Sequence, residues 1–90
     1  MATATRTVTI CNQRGLHARA SARFIAEAEK FDAKITVTRE GETVKADSIM
    51  ELLMLGAGPG VAVTIGADGA DAQAAVDQLS ALVECGFDED

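Results

Sequence analysis

The chain has 90 residues, 48% of them apolar, with a formal net charge of −6 and aromatics at 3%, all Phe. That length makes one domain, 1–90, able to bury a core worth on the order of 5–9 kcal/mol. The acidic balance and the lack of Trp and Tyr argue against nucleic acid, which asks for cations and stacking platforms, and against anionic membranes.

No apolar run reaches the ~20 residues of a membrane span, and Met1 to Arg6 has no apolar signal core. The expectation is therefore a soluble, cytoplasmic protein. Cys11 and Cys85 are too few and too far apart in sequence for a disulfide framework or a zinc site. They read as free thiols, and neither metal nor cofactor is expected. Monomer is the default state, because no coiled-coil pattern or long apolar edge calls for a partner.

In chain order, Thr5 to Ile10 alternates, with Val8 and Ile10 on one face and Thr7 and Thr9 on the other, as in a half-buried strand. Asn12 to Gly15 reads as a loop. From Ala18 the period becomes helical: Ala20, Phe24, Ile25, Ala28 and Phe31 share a stripe opposite Arg23, Glu27 and Lys30, with Glu27 and Lys30 placed to pair. Lys34 to Arg39 alternates through Ile35 and Val37, Glu40-Gly41 marks a tight turn, and Thr43 to Ala46 returns.

Asp47-Ser48 then looks like a cap for a short helix, Ile49 to Leu55. That helix has almost no polar face. Leu52 and Leu55 are assigned to the core, which leaves Ile49, Met50, Leu53 and Met54 at least partly exposed. Gly56, Gly58, Pro59 and Gly60 form a loop. Val61, Val63 and Ile65 make a fourth strand, and Gly66 to Ala70 turn the chain. Ala72, Ala75, Val76, Leu79, Leu82 and Val83 give a full helical stripe closed by Gly86, with Phe87 to Asp90 as an acidic tail. The order β-α-β-β-α-β-α points to an α+β fold, a mixed or antiparallel sheet with helices on one face.

The only histidine, His17, falls where the helical pattern begins. Helix starts present unpaired N–H groups and a positive dipole end, which welcome an anion. Arg19 stands in the same first turn, where a cation is unfavourable unless an anion meets it. With no second His and no clustered Cys, a metal site is unsupported. A hydrolase triad lacks an acidic orienter and a deep pocket. What remains is a histidine acting as nucleophile in its own right, and phosphoryl transfer asks chiefly for positioning and anion stabilisation.

The run Gly15-Leu16-His17-Ala18-Arg19, followed by Phe24, resembles the active-site signature of the phosphocarrier protein HPr family of the bacterial phosphoenolpyruvate-dependent phosphotransferase system. Asp47-Ser48-Ile49-Met50 and Leu52 to Gly56 resemble that family's second helix, and the length and element order also fit. The resemblance implies an HPr-like open-faced β-sandwich, βαββαβα, with a four-stranded antiparallel sheet covered on one face by three helices. It implies that His17 is phosphorylated on Nδ1 by phospho-enzyme I and passes the group to enzyme IIA-type proteins, as a stoichiometric carrier rather than an enzyme. Arg19 would be the phosphate-site arginine. Ser48 would be the regulatory phosphorylation site, a substrate for HPr kinase/phosphorylase. Ala18, Ala22, Ile49, Met50, Leu53 and Met54 would dock partners.

Two departures bear on this. Ala20 stands where the family usually has proline, and alanine leaves the helix intact. Ala26, Glu29 and Glu51 stand where a basic fringe is usual. The tail Gly86-Phe87-Asp88-Glu89-Asp90, with Leu52-Leu53-Met54-Leu55, resembles the nitrogen-related branch of the family (NPr), which implies a regulatory phosphorelay, with a sugar uptake system as the other branch. The alternative reading is a non-catalytic module of the same fold that regulates a partner through the patch around Ser48.

Overall fold

The structure is a computed structural model and describes residues 3–88. The proposed tail residues Glu89 and Asp90 lie outside the described residues. Alternating Val, Ile and Thr give four strands: β1 (Thr3–Thr9), β2 (Lys34–Arg39), β3 (Glu42–Lys45) and β4 (Ala62–Asp68). The helices are α1 (Ala18–Ala28), α2 (Ile49–Met54) and α3 (Ala72–Glu84), followed by a short turn at Gly86–Asp88.

All four strands form one antiparallel sheet in the order β1-β4-β2-β3. β4, which comes last in sequence, thus lies between β1 and β2. α1 crosses over from β1 to β2, and α2 from β3 to β4. The three helices pack on the sheet face that carries Val8, Ile35, Val37, Val63, Ile65 and Ala67, all buried. The opposite face is polar. Its central row pairs Thr7, Thr64, Thr38 and Thr43 across the four strands, with hydroxyl contacts of 2.9 Å (Thr7–Thr64) and 2.7 Å (Thr38–Thr43). A sheet with one solvated face explains the clean alternation along each strand.

The structure moves several boundaries. β1 starts two residues earlier than the alternation suggests. β4 runs on to Asp68, through residues assigned to a turn, because its Gly66, Ala67 and Asp68 complete the ladders with Thr5, Ala4 and Thr3 of β1. Lys30 and Phe31 lie beyond the end of α1, yet Lys30 Nζ still meets Glu27 Oε2 at 3.1 Å.

α2 divides its side chains as the pattern requires. Leu52 and Leu55 are buried, while Ile49 (42% exposed), Met50 (66%), Leu53 (37%) and Met54 (72%) face out. Both ends of this six-residue helix are held. Ser48 is the N-cap, its Oγ accepting from Glu51 N–H at 3.4 Å, in the Ser-x-x-Glu spacing of a capping box. At the other end Arg39 Nη1, reaching across from β2, donates to Leu55 O at 2.7 Å and Gly56 O at 3.0 Å. A cation at a helix C-terminus satisfies orphan carbonyls and complements the dipole. Arg39→Met is therefore expected to lower stability by about 1–3 kcal/mol, the weight of charge-assisted hydrogen bonds. The urea midpoint reads this, with Arg39→Lys recovering part of the loss.

Candidate functional site

The site begins with the turn that joins β1 to α1. Gly15 N–H donates to Asn12 O at 3.0 Å, and the buried Asn12 returns a bond from Nδ2 to Gly15 O at 2.8 Å. Gly15 has φ +62, a left-handed conformation that favours glycine. A Cβ there would stand 2.5 Å from Ala57 O and 2.7 Å from Gly58 Cα, so the turn presses directly on the loop that follows α2. Leu16 N–H then donates to Ala57 O at 2.9 Å, and Leu16 O accepts from the buried Ser21 Oγ at 3.2 Å. The backbone on both sides of the next residue is thereby fixed.

That next residue is His17. It is the N-cap of α1, in extended conformation (φ −78, ψ −177), and half-buried. Its carbonyl accepts the first helical bond, from Ser21 N–H at 2.8 Å. Its ring Nδ1 accepts from Arg19 N–H at 3.3 Å. An accepting Nδ1 means a lone pair turned toward the helix N-terminus and places the imidazole proton on Nε2. A group added at Nδ1 therefore enters the field of the first-turn amides. Arg19 is exposed beside it, and no carboxylate pairs with it among the described residues. Ala20, in the third helical position, is buried.

The other residues assigned from sequence fall on two helices that pack against each other, α1 and α2. Ala18 is exposed and Ala22 half-buried on the first turns of α1. Ile49, Met50, Leu53 and Met54 form the exposed apolar side of α2, with Ser48 half-buried at its start. Ala26, Glu29 and Glu51 are all exposed, so the surroundings of this apolar surface are neutral to acidic.

Sequence reasoning missed the contacts that buttress the site from behind. The segment after α3 is not a solvated acidic tail at its start. Phe87 is buried, and Arg23 of α1 donates to Phe87 O at 3.0 Å and to Asp88 Oδ2 at 2.6 Å. Gly86, Phe87 and Asp88 are all left-handed. Gly86 lies against Asn12 and Cys11, so the C-terminal turn sits beneath the histidine turn. Cys11 and Cys85, 74 positions apart in sequence, both reach the end of α3. The Cys11 thiol lies 3.5 Å from both Val83 O and Glu84 O, and the Cys85 thiol 3.3 Å from Leu82 O. Gly86 was the available signal, since a glycine that ends a helix often leads into a packed apolar residue.

The Asp88 carboxyl is held below its ordinary value of 3.8, first by the Arg23 hydrogen bond, then by the Cys85 thiol, then by the Arg23 charge. A carboxylate with a depressed folded pKa contributes stability above its unfolded pKa and loses it as pH falls through the folded one. The C-terminal turn is thus expected to be anchored above about pH 4 and to loosen below it. Amide shifts of Phe87 and Asp88 followed down the acid range would show this. In Asp88→Asn that transition should be absent.

Among the described residues there is no group of three or more metal-ligating side chains, and no helix is long and apolar enough to cross a membrane.

Comparison with known proteins gives a consistent result. The family model for the PTS HPr component phosphorylation site matches residues 4–85. Phosphocarrier protein NPr of Shewanella violacea is 46% identical over 84 residues, covering 93% of this chain and 92% of that protein. Phosphocarrier protein HPr of Cupriavidus necator is also 46% identical over 84 residues, covering 93% and 94%. The crystal structure of HPr-C-His from Thermoanaerobacter tengcongensis superposes with a TM-score of 0.91 at 38% identity, covering 97% of this chain and 98% of that one. With the open-faced sheet, the element order and the match all agreeing, this chain belongs to the HPr phosphocarrier family of the phosphotransferase system.

Proposed function

We propose that this protein is a stoichiometric phosphoryl carrier that accepts its group on His17 from phospho-enzyme I and delivers it to an enzyme IIA-type acceptor. The observation that carries this is the Nδ1 of His17, held at the N-terminus of α1 by a turn fixed on both sides. In the forward step the Nδ1 lone pair attacks the phosphorus of the donor phosphohistidine. The N–P bond to the donor breaks, and its electron pair returns to the donor nitrogen. The first-turn amides and Arg19 meet the charge on the transferring oxygens. No proton need move at Nδ1, because it already carries the lone pair. Delivery to the acceptor is the same step with roles exchanged, so the chain is regenerated rather than acting as the enzyme.

Support for such partners comes from the Multiphosphoryl transfer protein of Haemophilus influenzae. This chain is 42% identical to it over 86 residues, which make up 17% of that longer protein. The exposed side of α2 serves as the docking surface, with Ala18 and Ala22 at its edge, since Met side chains suit a surface that fits more than one partner. The acidic surroundings of that surface and the C-terminal sequence favour a regulatory, nitrogen-related relay over sugar uptake.

Ser48 is the regulatory position. A phosphate there would lie at a helix N-terminus, so the fold is retained, while about two negative charges appear beside Ile49 and Met50. Ser48→Asp is accordingly expected to raise the KM with enzyme I about tenfold, one full charge at an otherwise apolar contact, with an unchanged unfolding midpoint. An unchanged KM would remove the regulatory role.

The carrier reading is tested with enzyme I from the same source, phosphoenolpyruvate and magnesium. One acid-labile phosphoryl group is expected on the wild-type chain. Absence of phosphate while enzyme I itself becomes phosphorylated would overturn the carrier role and leave a binding module.

A further inference from the structure

The chain carries eight Lys and Arg residues against fourteen Asp and Glu. Four of the eight are engaged within the fold. Arg6 pairs with Asp77 at 2.7 Å, Arg23 with Asp88 at 2.6 Å and Lys30 with Glu27 at 3.1 Å, while Arg39 caps α2. The other four, Arg14, Arg19, Lys34 and Lys45, are exposed and have no carboxylate partner among the described residues. They segregate to opposite poles. Lys34 begins β2 opposite Asp68, the last residue of β4, and Lys45 ends β3. Arg14 and Arg19 bracket His17, beyond the end of β1, where Thr9 pairs with the first residue of β4.

Arg14 has no role in building the turn that it occupies. The 12–15 turn is closed by the backbone and side chain of Asn12, and the left-handed position belongs to Gly15. The side chain is left exposed at the apex. It lies three positions before His17, so the two Cα atoms are at most about 11 Å apart. An arginine side chain spans much of that distance, and the remainder is within a Debye length of ~8 Å at physiological salt.

A chain of net charge −6 repels a donor that presents an anionic phosphoryl group. Two unneutralised arginines at the one place where that group must arrive reverse the repulsion locally. We propose that Arg14 is a specificity-determining residue for phosphoryl transfer, a cation that draws the donor's anionic phosphoryl group toward His17. This rests on the carrier reading above and assigns Arg14 the work of encounter, distinct from the contact of Arg19 with the transferring oxygens. Arg14 governs how readily the donor is captured and leaves the chemical step alone.

The test measures phosphoryl transfer from phospho-enzyme I to the wild type, Arg14→Gln, Arg14→Lys and Lys34→Gln across a salt series. Lys34→Gln removes the same charge at the far pole and so controls for net charge. Arg14→Gln is expected to raise KM about three- to tenfold at low salt with kcat unchanged, the signature of a rim charge. The difference should close near ~0.5 M salt. Arg14→Lys should recover most of the affinity, and Lys34→Gln should match the wild type. If Arg14→Gln and Lys34→Gln give the same KM, or if Arg14→Gln lowers kcat alone, the assignment is wrong. A wild-type chain that takes no phosphate fails earlier and for a different reason, because the carrier reading itself has then failed.

Discussion

His17→Ala is expected to accept no phosphoryl group from phospho-enzyme I while remaining folded. The only imidazole in the chain is then gone, and the hydroxyl and thiol closest to it in sequence are engaged elsewhere. The buried Ser21 is committed to Leu16 O, and Cys11 lies against the end of α3. The structural cost is small. The His17 Nδ1 accepts a long cap bond, 3.3 Å from Arg19 N–H, and losing a helix cap costs about 1 kcal/mol. Transfer should therefore fall to background with the unfolding midpoint barely moved. A combination of circular dichroism melts and phosphate incorporation would separate the two effects. Incorporation by the alanine variant at the wild-type rate would exclude His17 as the acceptor.

Gly15→Ala is expected to damage both stability and transfer. The residue must adopt φ +62, which costs an L-residue roughly 1–2 kcal/mol. Its Cβ would also meet Ala57 O at 2.5 Å and Gly58 Cα at 2.7 Å. Both obstacles are backbone, so no side-chain rotation relieves them. The two loops must separate, and the Leu16 N–H to Ala57 O bond is lost with them. Together these effects amount to about 3 kcal/mol or more. Because the same turn aims His17, a displacement of about 1 Å is enough for a ~100-fold fall in transfer rate. Urea denaturation and single-turnover transfer would measure the two losses. A variant that keeps wild-type values in both would show that the close approach of the two loops is unimportant.

These two positions also mark what a sequence conveys. Alternation and helical period are local signals, and they located every strand and helix to within a few residues. They divided α2 correctly, burying Leu52 and Leu55 and exposing Met50 and Met54, because burial on a short helix follows its angular spacing. Ser48 was readable as a cap for the same reason. The family resemblance then supplied the open-faced arrangement and the relation between His17 and α2.

Contacts between elements distant in sequence left no local trace. Nothing around Gly15 announces Ala57, 42 positions on, and the glycine alone signals only a permissive backbone. Arg39 sits at a core-facing strand position and reads as a strand end, yet it caps a helix that begins ten residues later. Arg23 lies opposite the apolar stripe of α1 and reads as solvated, but it ties down Phe87 and Asp88. In each case a long side chain or a bare backbone bridges elements that only the sheet order β1-β4-β2-β3 brings together.

The most direct test of the account is the position of the phosphate. Wild-type protein phosphorylated by enzyme I and phosphoenolpyruvate should be digested at neutral to alkaline pH and mapped by fragment-ion mass spectrometry. One acid-labile phosphoryl group is expected, confined to the peptide that carries His17 and assigned to that residue. A phosphate that is acid-stable, or that maps to Ser48 or any other side chain, would contradict it.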